Sequence, residues 1–262
     1  MNKAELIGRY DQDQRKEVEY PDMRREVAAA VVRHVNISEA GGEGTIVFSE
    51  LNESNADETI GEQVRYFESI GQDFEWKLYD YDPPADLKER LLAYGFASGE
   101  AEAIMVLDLA DAPDIFWQPV EQRVERISDA AKLADVQSVE AQVWGEDVSP
   151  LIEYLRETIS KHPDQMSVYL ASVNGQPASA AWAYFPKHSQ FASLWGGSTL
   201  SEFRQQGLYT ALLAARAQEA RARQVRYLTV DASPMSRPIL EKMGFELIAI
   251  SYPCKWKCRS KG

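Results

Sequence analysis

Little in this sequence invites redox or metal chemistry. Its 262 residues include two cysteines, Cys254 and Cys258. Both fall in "PCKWKC", which alternates as a strand does. On a strand their side chains share a face but stand roughly 13 Å apart at ~3.3 Å per residue, too far for a disulfide. Reduced thiols are expected. His34, His162 and His188 are the three histidines, and they show no ligand spacing, so no metal is expected. No run approaches ~18 apolar residues, so no membrane-spanning helix is expected. The opening "MNKAELIGRYDQDQ" lacks the apolar core of a secretion signal, and the expected location is cytoplasmic.

An excess of basic charge is also missing. The net charge is −13, and it is uneven. Residues 1–120 hold 11 Lys and Arg against 26 Asp and Glu, a balance of −15; residues 121–262 hold 17 against 15, a balance of +2. Such asymmetry points to two domains with different surfaces. An acidic surface repels nucleic acid, which makes DNA and tRNA poor partners, whereas it can attract a cationic substrate.

The remaining pattern is that of a mixed α/β protein. The second half reads as helices, a hairpin, a strand, a helix, a strand, a helix and a strand. "SVYLASV" and "ASAAWAYF" flank "NGQP", and Asn-Gly between apolar runs is a strong hairpin signal because both residues tolerate positive φ. "FASLWGGSTL" and "VRYLTVD" read as strands, "PMSRPILEKM" as a short helix and "FELIAISYPCKWK" as strand. The first half carries a weaker version of this order, with "VVRHVNI" and "GTIVFSEL" around the Gly-rich "EAGGEG", then a helix over "ADETIGEQVRYFESIG". "PADLKERLLAYGF" and "PMSRPILEKMGF" each begin at proline and stop at Gly-Phe before a strand, which points to internal duplication. A boundary is expected within residues 109–122, "LADAPDIFWQPVEQ", where prolines and acids follow an apolar run.

"EFRQQGLYTALL", residues 202–213, raises the functional question. Leu208, Ala211, Leu212 and Ala215 form one apolar helical face, with Arg216, Glu219 and Arg223 largely off it. The first turn is different. A helix start offers unpaired N–H groups and partial positive charge, Gly207 lets a ligand approach the backbone, and Arg204 supplies a charge suited to phosphate oxygens. Upstream, Gly196 and Gly197 interrupt a strand, as at a bulge or a close backbone approach. A bulged strand leading into a phosphate-binding turn suits an extended, amide-bearing ligand with a pyrophosphate at one end. Coenzyme A has that form.

"STLSEFRQQGLYTALL" followed by "ILEKMGF" resembles the GNAT superfamily of acyl-CoA-dependent N-acyltransferases, whose signature is [QR]-x-x-G-x-[GA] after a bulged strand, with a later helix ending in Gly-Phe. The resemblance covers roughly residues 125–258. It implies two GNAT-like domains, each a mixed, mostly antiparallel twisted sheet flanked by helices. Residues 1–115 resemble the degenerate leading domain of tandem members, without a coenzyme motif; residues 116–262 are the expected acetyl-CoA-binding domain. By resemblance, Gly197, Ser198 and Thr199 face the pantetheine arm. Arg204, Gln205, Gln206, Gly207, Leu208, Tyr209 and Thr210 hold the pyrophosphate. Two departures stand out: Tyr209 occupies a place usual for Gly or Ala, and Leu240 the place of a tyrosine that protonates the departing thiolate.

Acetyl transfer to an amine requires a neutral nitrogen and a donor for the developing oxyanion. Asp231, which ends "YLTVD" next to where the acceptor should meet the thioester, is a catalytic candidate, with capping of the next helix as its structural alternative. Ser233 is either that cap or a weak donor. Tyr209 is placed to reach the thioester sulfur, and Trp195 and Tyr184 to line an acceptor pocket. The expected activity is acetyl transfer from acetyl-CoA to a primary amine, a small cationic metabolite or a protein amine, by a monomer or homodimer without a metal. The alternative is a protein that binds acetyl-CoA without turnover, as a sensor or scaffold. A transferase that uses aminoacyl-tRNA is disfavoured by the acidic first half.

Overall fold

The structure, a computed structural model, describes residues 2–38, 41–120 and 123–258. The chain divides into two compact units that exchange segments. One comprises Met1–Met105, Asp231–Ile239 and Leu247–Gly262; the other comprises Val106–Val230 and Leu240–Glu246. Each is built on a mixed, mostly antiparallel sheet flanked by helices.

The first unit opens with α1 (Lys3–Tyr10), whose start is closed by a reciprocal capping box between Asn2 and Glu5. Three antiparallel strands follow: β1 (Met23–Ala28), β2 (Val31–Asn36) and β3 (Gly44–Ser49). Glu39 and Ala40 of the Gly-rich loop between β2 and β3 lie outside the described residues. Helix α2 (Ala56–Ser69) then carries the chain to β4 (Phe74–Tyr79), which runs parallel to β3. After α3 (Leu87–Ala93) come the short β5 (Ala97–Ser98) and β6 (Glu102–Asp108). The last strand, β12 (Glu246–Trp256), pairs antiparallel with β4 and β5. Ile60 and Phe67 of α2 are buried, as their helical spacing predicts, and Phe67 stacks on Phe74 at 4.2 Å between ring centres. Cys254 and Cys258 both belong to this core, and neither is joined in a disulfide.

The second unit repeats the order. After β7 (Val124–Ile127) and the helices α4 (Leu133–Trp144) and α5 (Ser149–Lys161), three antiparallel strands follow: β8 (Met166–Val173), β9 (Gln176–Tyr184) and β10 (Phe191–Thr199). The β8–β9 turn has Asn174 at φ 51° and Gly175 at φ 79°, the left-handed pair that Asn-Gly provides. Helix α6 (Leu208–Ala222) leads to β11 (Tyr227–Ala232), which is parallel to β10, and α7 (Arg237–Lys242) follows. Three antiparallel strands, a crossover helix and a parallel strand thus occur twice.

The Gly-Phe helix ends also match. Gly95 has φ 90° and Gly244 φ 89°. Phe96 N–H donates to the Leu91 carbonyl at 3.2 Å, and Phe245 N–H to that of Leu240 at 3.1 Å. Leu91, Phe96, Leu240 and Phe245 are all buried. Each is a glycine-terminated helix whose following residue bonds back to the last turn.

Candidate active site

The site begins with a strand that loses its neighbour. β10 pairs with β11 only through Phe191, Ala192 and Ser193. On its other side it stays paired with β9 to Thr199, with a register slip between Gly196 and Ser198. Gly196 has φ 70° and Gly197 φ 89°. A β-carbon at Gly196 would lie 2.6 Å from the Trp182 ring, and one at Gly197 2.8 Å from the Tyr209 ring. Both glycines are therefore required twice, by backbone angle and by packing. The result is a bulge whose β11-facing edge carries backbone groups beyond the paired stretch.

The chain then turns sharply. Arg204 is extended, with φ −65° and ψ 160°, and its Nε donates to the Thr199 carbonyl at 3.2 Å. Its terminal amino groups have no partner among the described residues. Gln205 has φ 63°, and Gly207 caps α6 with φ 74° and no side-chain hydrogen bond. Arg123 Nη2 donates to the Gln206 carbonyl at 2.5 Å and pins the turn from below. Residues 204–207 are exposed, while Leu208 is buried and anchors the helix. The first N–H groups of α6 thus have no side-chain cap and follow a cationic residue closely.

Helix α6 is buried more widely than its sequence predicts. Leu213 and Ala214 join Leu208, Ala211 and Leu212 in the core, whereas Ala215 is only half-buried. Arg216, expected off the apolar face, is 2% exposed. Its long side chain runs to the carbonyls of Leu212, Trp182 and Trp195, at 3.1, 3.4 and 3.2 Å. It has no carboxylate partner among the described residues, and burial brings its guanidinium down to about 10 despite nearby Tyr209 and Tyr169. Because Trp195 precedes Gly196, this cation lies at the foot of the bulge. Tyr209 packs over Gly197 and is half-buried; burial raises its phenol, which Arg216 partly offsets, so the hydroxyl keeps its proton at neutral pH.

The other candidates have distinct surroundings. Trp195 is 44% exposed beside the bulge. Tyr184, expected to line a pocket, is 1% exposed, with its hydroxyl donating to Gln165 Oε1 at 2.9 Å; it is a core residue. Leu240 is fully buried. Asp231 and Ser233 belong to the first unit. Asp231 forms an ion pair with Lys77 of β4. Burial alone would lower the Lys77 ammonium, and Asp231 outweighs it and raises it. The capping role falls to Ser233, whose Oγ accepts from Ser236 N–H at 3.3 Å.

Glu140 escaped the sequence reading. It is 1% exposed on α4, and its Oε2 accepts from Ser198 Oγ at the bulge and from Trp144 Nε1, each at 2.9 Å. Its signal was positional: it continues the buried stripe Leu133, Val136, where an apolar residue belongs.

Residues 132–254 match the Acetyltransferase (GNAT) domain. The GCN5-related N-acetyltransferase from Kribbella flavida aligns over 96% of this chain and 94% of its own, with 14% identity and a TM-score of 0.70. A conserved protein of unknown function from Staphylococcus epidermidis aligns over 91% and 96%, with 14% identity and a TM-score of 0.66. A tandem GNAT protein from the clavulanic acid biosynthesis pathway aligns over 94% and 86%, with 12% identity and a TM-score of 0.62. At such identities the likeness is one of fold. No curated protein matches the sequence. Residues 132–254 are thus similar to a GNAT acetyltransferase domain, and the chain has a fold shared with GNAT N-acetyltransferases.

Proposed function

We propose that this protein transfers an acetyl group from acetyl-CoA to a primary amine, with residues 116–262 holding the coenzyme and residues 1–115 forming a degenerate relative without a coenzyme turn. The observation that carries the reading is the sequence of a doubly glycine-dependent bulge and an uncapped, Arg-flanked helix start only a few residues later.

Each part suits one portion of the coenzyme. The edge of β10 at Gly197, Ser198 and Thr199 offers backbone groups to pantetheine amides. Arg204 and the backbone of residues 205–210 offer donors to the pyrophosphate. When bound, acetyl-CoA supplies an activated thioester. Backbone N–H groups at the bulge are suited to hold the developing oxyanion, and much of the rate comes from orientation. Tyr209, protonated at neutral pH, is the proposed proton donor to the departing sulfur and takes the part that Leu240 cannot play. The acidic first half favours a cationic acceptor.

A second reading, an acetyl-CoA-binding sensor without turnover, is favoured by one observation: Leu240, at the usual acid position, is fully buried. Calorimetric titration with acetyl-CoA, beside the Arg204→Ala, Gly207→Asp double variant, tests coenzyme binding. An aspartate at position 207 would put a negative charge and a strained left-handed residue where the phosphate is proposed to sit, so binding is expected to be lost, and thermal unfolding checks that the variant is still folded. Thiol release in the presence of primary amines then separates the enzyme from the sensor. Absence of binding by the intact protein would overturn both readings.

A further inference from the structure

Two features of α4 have no place in the coenzyme site. The first is Glu140, a carboxylate removed from water. Ser198 Oγ and Trp144 Nε1 both donate to Oε2, while Oε1 is buried with no hydrogen-bonding partner among the described residues. A buried carboxylate oxygen left without a donor is costly. The second is Trp144, which is 63% exposed, an unusual position for the largest apolar side chain. They are joined, because the exposed indole donates its Nε1–H to the buried carboxyl. Trp144 is the last residue of α4 and is followed by Gly145 at φ 70°, so it sits where the helix ends.

We propose that Glu140 is the acceptor-amine site: its free Oε1 receives an N–H of a primary alkylammonium that displaces or slides beneath the Trp144 indole, and it takes that proton. The inference rests on the acetyl-transfer reading and supplies its acceptor side. The class follows from the chemistry. An orphan carboxylate oxygen calls for a cationic N–H donor, and an exposed indole face attracts the same cation. Ser198 joins Glu140 to the bulge, so the nitrogen is brought towards the strand that is proposed to hold the thioester. In the step, one ammonium N–H bond breaks with its electron pair staying on nitrogen, an O–H bond forms at Oε1, and the carboxylate becomes a neutral acid. The nitrogen is then a nucleophile.

The surroundings leave Glu140 free to respond. β10 has no titratable side chain, and β9 has only Tyr184, which is held by Gln165. From α5 the buried residues are Ile152, Leu155 and Thr158, with Tyr154 half-buried; its charges pair along the exposed face, Arg156 with Glu153 and Lys161 with Glu157. Just before α4, Lys132 pairs with Glu125 of β7. Burial raises the Glu140 carboxyl, and the bonds from Ser198 and Trp144 only partly offset it.

Trp144 fluorescence reports the protonation of its partner. The emission of the full chain is titrated with acid in sodium chloride, butylammonium chloride and tetramethylammonium chloride at matched ionic strength. Butylammonium is expected to lower the midpoint by at least one pH unit, and tetramethylammonium, which has no N–H, to leave it where sodium does. The transition is expected to vanish in Trp144→Phe and Glu140→Gln. Glu140→Gln is also expected to raise the KM for an amine at least tenfold without changing acetyl-CoA affinity. A midpoint identical in all three salts, or moved equally by both organic cations, would overturn the proposal, and this comparison needs no variant. Failure of acetyl-CoA to bind would instead strike the parent reading and leave the midpoint shift unaffected.

Discussion

Alanine at position 197 tests the bulge most directly, because two separable penalties meet there. Gly197 has φ 89°, a left-handed conformation that costs an L-residue about 1–2 kcal/mol. The new methyl would also stand 2.8 Å from Tyr209 Cε2 and 3.3 Å from Cδ2, so the ring must move. Overpacking of this kind costs about 1–3 kcal/mol. Gly197→Ala should therefore destabilise by about 2–5 kcal/mol. With Tyr209 already replaced by alanine, only the backbone penalty remains, about 1–2 kcal/mol. The double-mutant cycle should then give a coupling of at least about 1 kcal/mol. Thermal unfolding of the four proteins reads this as a difference of about 2–4 °C between the two Gly197→Ala effects. Equal losses in both backgrounds would mean that Tyr209 does not pack over the bulge, and its proposed role at the sulfur would fall with that contact.

Two further predictions concern the first unit. Lys77 and Asp231 are each 20% exposed. Removing one partner strands the other, so Asp231→Asn should cost about 1–3 kcal/mol of stability, below the range for fully buried pairs. Because the folded lysine is raised, this contribution is complete below its unfolded value of about 10.4 and is lost only as pH rises beyond it. The stability difference between wild type and Lys77→Met, from urea unfolding, should thus be flat from about pH 6 to 9; a decline within that window would refute the pairing. His34 is 1% exposed, and burial lowers its imidazole to about 4 although Nε2 lies against the Val18 carbonyl. The unfolded chain then binds the extra proton, so stability is complete above about pH 6.5 and falls as pH drops towards 4, by about 3 kcal/mol in all. His34→Gln should flatten that acid limb, and an unchanged limb in the variant would show that other groups cause it.

Much of the architecture was written locally. The Asn-Gly turn and the Gly-Phe helix ends each depend on a few neighbouring residues, and the structure has them as read. The bulge and the turn into α6 were legible for the same reason, since Gly196, Gly197 and Gly207 act through backbone conformation within a dozen residues. Arg216 misled the helical reading. Periodicity assumes that a charged residue seeks water, whereas a long side chain can spend its donors on the carbonyls of two strands. Tyr184 misled it in the other direction, because an aromatic near a site is indistinguishable in sequence from one in the core.

By itself, the sequence determined the element types, their twofold repetition, the left-handed positions and the turn suited to phosphate, all of which are set by short-range sterics and hydrogen bonding. Only the tertiary structure decided which distant groups meet. It brought β12 beside β4 across most of the chain, Lys77 to Asp231, Tyr209 onto Gly197, and Glu140 to Ser198. Such pairings depend on how sheets and helices close around a shared core, where burial sets the energy of every charge, and no local pattern encodes that closure.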